Sequence, residues 1–461
     1  MSADKQQTKF ELMTTTPVGR LIGRLAVPCI ASMLVTSIYN MADTFFVGML
    51  KSNAATGAVG VVFSMMAIIQ ATGFFFGHGS GNYISRMLGR QDTEECSRMA
   101  ATGFVLSLLA GGVICVLGLI FLEPLAYLLG STDTILPYTK QYLSIILVGA
   151  PWMIGSFVLN NQLRYQGSAH YGMVGIISGA ILNIALDPLF IFALDMGVAG
   201  AGLATVISQF VSFCILLAGC KRGGNISIRI SKTKINKFYS VMIIRGGLPS
   251  LARQGLASVA TICLNHAAGV HGDAAIAALG VVQRIMMFGA SAVIGFGQGF
   301  QPVCGFNFGA GLYDRVKQGF FFCVKVCLGF LLAVSIAGFI FADGIIALFR
   351  DDPEVVDIGS RALRYQLLTF PTQSWVIMSN MAAQSVGRTV PATFLAAARQ
   401  GVFFIPLVWI LSGLFGLTGI LLTQTVSDVF TLICAIPIQL YLLRTVADPK
   451  KLALTVKTEE D

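Results

Sequence analysis

Residues 171–193 read YGMVGIISGAILNIALDPLFIFA. These 23 residues carry one charge, Asp187. As a helix they extend ~34 Å, and the hydrocarbon core of a bilayer is ~30 Å thick. Their apolar residues do not alternate with polar ones, as a membrane β-strand of ~10 residues requires. Helices of soluble cores rarely stay apolar on every face for so long. The stretch reads as a helix that crosses a membrane.

The rest of the chain repeats this pattern. Twelve apolar stretches lie near 21–47, 55–80, 98–121, 139–160, 171–193, 197–219, 242–268, 275–301, 317–341, 362–384, 392–412 and 418–443. The 461 residues are 55% hydrophobic and 11% charged, whereas soluble domains carry ~25% charged residues. Mean hydropathy is +0.77. The first twenty residues are polar and lack the apolar core and small-residue cleavage site of a signal peptide, so the first stretch is expected to remain as helix one.

A net charge of +9 invites a nucleic-acid reading, but its placement argues against one. With loops numbered along the chain, the termini and even-numbered loops hold 23 of the 31 Lys and Arg. The largest group is Lys221, Arg222, Arg229, Lys232, Lys234, Lys237 and Arg245. The odd-numbered loops hold five: Lys51, Lys140, Arg350, Arg361 and Arg364. This is positive-inside bias. It expects a multi-pass protein of the cell (inner) membrane with both termini cytoplasmic, its basic 220–241 linker against anionic lipid headgroups. Asp343, Asp351, Asp352, Glu354 and Asp357 form a solvated outer loop. None of the ten cysteines falls in an outer loop, so no disulfide framework is implied. Cys323 and Cys327 share a helix face but are too few ligands for a metal. His78, His170, His266 and His271 lack metal-ligand spacing, and no nucleophile has a clear base, so an enzyme is not expected.

The chain also resembles itself at a shift of about 220 residues. Pro28 meets Pro249, and Ala58, Gly60, Val61 and Val62 meet Ala278, Gly280, Val281 and Val282. Gly77, Gly79 and Gly89 meet Gly297, Gly299 and Gly309; Pro151 and Gly167 meet Pro371 and Gly387. Gly197, Gly200 and Ser208 meet Gly416, Gly419 and Ser427. Six spans per half make the repeats parallel. The expected fold is an all-α integral membrane protein, twelve transmembrane helices in two parallel six-helix repeats with a central cavity. Its expected parts are a cytoplasmic segment 1–20, an N-lobe 21–219, the linker 220–241, a C-lobe 242–443 and a cytoplasmic tail 444–461. Two bundles rocking about a cavity suit a carrier.

Ionisable groups inside a membrane are costly and mark function. Asp43 lies 19 residues after Arg24, ~28 Å of helix, and Asp187 lies 17 after His170, ~26 Å. The two carboxylates are thus expected at similar depth. Asn183 stands one turn before Asp187, and Asn40 and Tyr39 one turn before Asp43. Two close carboxylates in low dielectric share a proton or hold a cation. The second-half counterparts of the acids are about Cys263 and Ile405, so the pair is not shared scaffold. Asp428 has Gln209 as its counterpart and no obvious partner. The basic residues read inside spans, Arg253, Arg284 and Lys325, belong to the second half; each suits snorkelling or pairing. Candidate cavity residues are Tyr39, Asn40, Asn161, Gln283, Arg284 and Met287, and methionines such as Met286 suit an adaptable pocket.

Five motifs then carry a family resemblance: Pro28 to Gly48 ending YNMADTFFVG, GNYISRMLGR at 81–90, LRYQG at 163–167, NIALDPLFIF at 183–192 followed by GVAGAGLATVISQ at 197–209, and QPVCGFNFGAGLYDRV at 301–316. The chain resembles the multidrug and toxic compound extrusion (MATE) transporters over nearly its whole length. The resemblance implies a cation-driven antiporter that exports amphipathic, often cationic, organic compounds and drugs. It implies a first-lobe site for H+ or Na+ at Asp43, Asn183, Asp187 and Thr205, with no other cofactor. The family's branch with acids in helices seven and ten is not matched, since Arg253 and Gln254 stand in helix seven and Gln373 in helix ten. A flippase for a lipid-linked saccharide, an exporter of one metabolite and a passive channel remain alternatives. A cavity between two halves of one chain fits a functional monomer.

Overall fold

The structure, a computed structural model, describes the backbone of residues 3–49, 52–349 and 352–446, and their side chains except 3–6, 40–45, 53 and 446. It is 89% helix, with no strand among the described residues. The helices are α1 (Ala3–Thr15), α2 (Val18–Gly48), α3 (Asn53–Gly89), α4 (Thr93–Ile120), α5 (Leu122–Leu128), α6 (Leu136–Tyr165), α7 (Ala169–Pro188) and α8 (Gly197–Gly219). After the basic linker follow α9 (Lys237–Gly269), α10 (Asp273–Gly309), α11 (Tyr313–Ile340), α12 (Ala342–Phe349), α13 (Pro353–Thr369), α14 (Gln373–Val386), α15 (Thr389–Ala397) and α16 (Phe404–Val446).

Nine stretches among the described residues are long and apolar enough to cross a membrane, against the twelve expected. The difference has physical sources. Thr389–Thr445 counts as one stretch of 57 residues, ~85 Å of helix, yet Gly416 at φ 55°, ψ −134° breaks it. The 33-residue α9 carries Lys237, Arg245 and Arg253. The 17-residue α13 and 14-residue α14 meet at a 3-10 turn over Phe370–Thr372, where Pro371 supplies no N–H.

The helices wear their apolar side outward. On α4, Leu109, Val113, Val116, Leu117 and Ile120 are each more than half exposed, at the i, i+4, i+7, i+8, i+11 spacing of one face. In water such a stripe would be buried; in lipid it is the solvent-facing side. The buried side of α4 includes a row of small residues, Gly103, Ser107, Gly111 and Gly118. A Cβ on Gly111 would lie 2.5 Å from the Pro151 Cα, and one on Gly118 would lie 2.6 Å from Leu147. Small residues let helix backbones meet where no hydrophobic force drives them together. The most buried span is α6, with 67% of its apolar window inside, and Tyr142, Leu143, Ile146, Leu147, Ala150 and Met153 are the centre of that core.

The chain forms two compact units, Met1–Thr15 with Val27–Gly247, and Thr16–Ala26 with Leu248–Asp461. One division falls between α1 and α2, and the other two fall inside α2 and α9, one residue before Pro28 and Pro249. In unit 1, the start of α9 packs on α3 and α4: a Cβ on Gly246 would lie 2.9 Å from the Gly79 carbonyl oxygen, and Tyr239 donates to Glu95 at 2.8 Å. In unit 2, the start of α2 packs on α10 and α11: a Cβ on Gly299 would lie 2.5 Å from the Ala26 Cα, and Arg315 donates to the Thr16 carbonyl at 2.6 Å. Gly79 and Gly299 stand 220 residues apart, as do Ala26 and Gly246, so these two contacts are copies of one another.

Candidate functional site

One row on α7 builds the site. Gly175, Gly179, Asn183 and Asp187 recur every four residues, and all are buried. The glycines set the distance to α8. A Cβ on Gly175 would lie 2.5 Å from Leu216, and one on Gly179 would lie 2.9 Å from the Ser212 Cβ and 3.2 Å from the Ser208 carbonyl oxygen. With the backbones this close, Asn183 Nδ2 reaches Thr205 Oγ1 at 3.4 Å and Asp187 Oδ1 at 3.4 Å. Asp187 is fully buried, and Asn183 and Thr205 are each 1% exposed. Asn183 Oδ1 has no hydrogen-bond partner among the described residues. An unmet oxygen beside a buried carboxylate and a hydroxyl is the donor set of a small hard cation or a proton. Beyond Asp187 the α-helix ends at Pro188, and Leu189–Ala193 form a π-helical turn closed by Leu194 N–H to Leu189 O at 2.9 Å. Such turns recur at functional sites.

The structure thus brings Asn183, Asp187 and Thr205 together. Asp43 and Asn40 belong to α2, but their side chains lie outside the described residues. Tyr39, a turn before Asp43, is buried. Below it, α2 is prone to bend: Ser32, Thr36 and Ser37 return their hydroxyls to the carbonyls four residues earlier, at 2.8, 2.8 and 3.1 Å, an arrangement that bends helices, on top of Pro28.

The other candidates are dispersed. Asn161, on α6, accepts from Arg164 Nη2 at 2.5 Å, and Arg164 also donates to His78 Nε2 at 2.9 Å. Arginine has no acceptor, which fixes His78 Nε2 as the accepting nitrogen. Gln283, Arg284 and Met287 are exposed on α10; Gln283 donates to Thr261 at 3.0 Å. Met286 instead lines a largely apolar cavity of about 450 Å³ with Ile285, Gly289, Val334, Leu363 and Phe370 among its walls. Lys325 is exposed, and Arg253 donates to Asn380 at 3.5 Å.

Asp428 corrects its sequence reading, for it does have a partner. Arg399 Nε lies 2.8 Å from Asp428 Oδ1, with the carboxylate 2% exposed. Arg399 escapes a search for charges inside spans because it stands seven residues into the stretch 392–412, near its edge. Arg164 is missed because it stands four residues beyond the stretch 139–160.

Outside the spans, α1 is anchored through Lys9. Its Nζ donates to Ser168 Oγ and Asn225 Oδ1, both at 3.0 Å, and burial pushes the amine down to about 8.

Comparison with known proteins identifies relatives of the whole chain. The sequence profile of the MatE family matches residues 28–189 and again 249–410, two copies whose starts are 221 residues apart, the spacing of the internal repeat. The multidrug export protein MepA of Staphylococcus aureus (strain MSSA476) is 28% identical over 462 residues, covering 99% of each chain. Crystal structures of MATE in a bent and in a straight conformation each superpose with a TM-score of 0.89 at 25% identity, over 95% of this chain and 98% of theirs. Two profile matches in register with the repeat, together with a fold shared end to end, make this chain a multi-pass membrane transporter of the MatE family.

Proposed function

We propose that the protein is a secondary active antiporter that exports amphipathic organic cations and drugs in exchange for H+ or Na+. The observation that carries the reading is the fully buried Asp187, with Asn183 and Thr205 at its side. A carboxylate without water needs a proton or a cation, and α2 presents a second acid, Asp43, in the same unit. The naming of the S. aureus relative as a multidrug export protein supports drugs as the cargo. Bent and straight forms of a related structure support a cycle between two shapes.

The cycle we infer begins outside, where a proton or Na+ enters between Asp43 and Asp187. Binding removes the repulsion between the carboxylates and draws α2 toward α7. The back-bonded stretch after Pro28 takes up the bend. The altered α2 weakens the drug site, the drug leaves outward, and the loaded carrier returns. The basic linker and termini face the cytoplasm of the cell (inner) membrane, and the working unit is the monomer.

The test is ethidium efflux from vesicles under a pH gradient or a Na+ gradient imposed separately. One gradient alone drives efflux, and Asp43→Asn abolishes it. Full efflux by Asp43→Asn sinks the scheme. If neither gradient moves any cationic dye, a lipid-linked saccharide or a single metabolite replaces drugs as the cargo.

A further inference from the structure

We propose that Asp428 is a latent cation site in unit 2, occupied by the protein's own Arg399, so that unit 2 takes up no coupling ion while Arg399 is in place. The ligand class is one monovalent cation, a proton or Na+. The idea goes beyond the unit 1 reading and uses it only for comparison.

Four donors surround the Asp428 carboxylate. Arg399 Nε and Gln424 Nε2 reach Oδ1 at 2.8 Å each. Thr369 Oγ1 and Gln373 Nε2 approach Oδ2 at 3.4 and 3.5 Å. Only one of the four is charged. A guanidinium never gives up its proton in a protein, so the cation at Asp428 is fixed in charge and tethered to the chain. Take Arg399 away and a 2% exposed carboxylate faces amides and a hydroxyl alone. Such a group binds a cation or a proton, just as the Asp187 cluster does.

The repeat shows that the likeness is positional. Gln424 stands 219 residues after Thr205, and Asp428 lies one turn beyond it. At the same spacing Asn183 corresponds to Val402, one turn after Arg399. Arg399, Gln424 and Asp428 therefore lie on the same two helices of their half as the unit 1 site, displaced by one turn along each, while Thr369 and Gln373 reach in from α13 and α14. Ala398–Val402 form a π-helical turn, closed by Phe403 N–H to Ala398 O at 3.0 Å. Ser427 Oγ pins the Arg399 carbonyl at 2.6 Å. The two half-repeats thus carry the same kind of site, one open to an exchangeable ion and one closed by a resident charge.

The experiment counts cations on the full-length purified protein without drug. Binding of 22Na+ is measured at fixed pH, and proton uptake is measured with an indicator dye after a pH step in unbuffered solution. Wild type, Arg399→Lys and Asp428→Asn bind the same number per chain. Arg399→Gln binds one more, and Arg399→Gln/Asp428→Asn returns to the wild-type number. If Arg399→Gln binds no more than wild type, or if Asp428→Asn alone loses one, the proposal is overturned. Asp428→Asn decides the matter even if Arg399→Gln does not fold, because retention of the full count supports the proposal. The two readings fail separately. A wild type that binds nothing beside an Arg399→Gln that binds one ends the unit 1 scheme and keeps this one; one cation in both ends this one and keeps unit 1.

Discussion

At Asp187 the environment sets the chemistry more than the residue does. A carboxylate with no exposure accepts from the Asn183 amide, which reaches on to the Thr205 hydroxyl. Asp187→Asn is expected to leave the fold intact and abolish gradient-driven ethidium efflux, as read in vesicles beside the Asp43 variant. Asn183→Ala deletes a buried donor and acceptor. A lost buried hydrogen bond costs ~1–3 kcal/mol and each ~1.4 kcal/mol is tenfold, so cation affinity, measured by isothermal titration, should fall about tenfold. An unchanged affinity would remove Asn183 from the site. The Asn183–Asp187 spacing is legible in sequence because both lie on one helix. The contact with Thr205 is not, since it depends on how far apart α7 and α8 lie; there the family resemblance supplied what periodicity does not. The Arg399–Asp428 pair is harder still, as 29 residues separate its members and nothing local joins them.

At the scale of the element, glycine pairs give the sharpest contrast. Gly111 and Gly112 are neighbours on α4, yet a Cβ on Gly111 would lie 2.5 Å from the Pro151 Cα while one on Gly112 meets nothing within 4 Å. Overpacking costs ~1–3 kcal/mol, whereas Gly to Ala on an open helix face gains ~0.5–1 kcal/mol. Gly111→Ala should therefore lower Tm in detergent and Gly112→Ala should hold or raise it; equal shifts would contradict the packing. Composition announces a membrane helix here, but only the neighbour's position tells which glycine is needed. For α1 the relevant variable is pH. Below about 8 the Lys9 amine is charged both docked and free, and docking carries the whole cost of burying it. Above its ordinary 10.5 it is neutral in both. Between those values rising pH favours the docked form. A spin label at Gln7→Cys should lose mobility as pH climbs from about 8 to about 10, and Lys9→Met should flatten that response.

At the scale of the whole molecule, helix content and the repeat are legible in the sequence, and the family match falls on the same 28 and 249 start points. What the repeat did not reveal is the exchange inside α2 and α9. Helices α2 and α9 each begin in one unit and change over to the other just before a proline. Sequence periodicity is blind to this, because it reports which face of a helix is covered and not by which half. Separately expressed fragments cut in the linker should each be unstable alone and should recover efflux when expressed together; a stable, monodisperse first half would count against the exchange.

That exchange also dictates an order of assembly. Unit 1 lacks a helix until Lys237–Gly247 has been synthesised, whereas the piece that unit 2 borrows, Thr16–Ala26, is made almost first. At ~5–20 residues per second, the nascent first half waits many seconds with the backbone of Gly79 uncovered. During biogenesis the chain is thus held open along one seam, and it is sealed only when the seventh span leaves the ribosome.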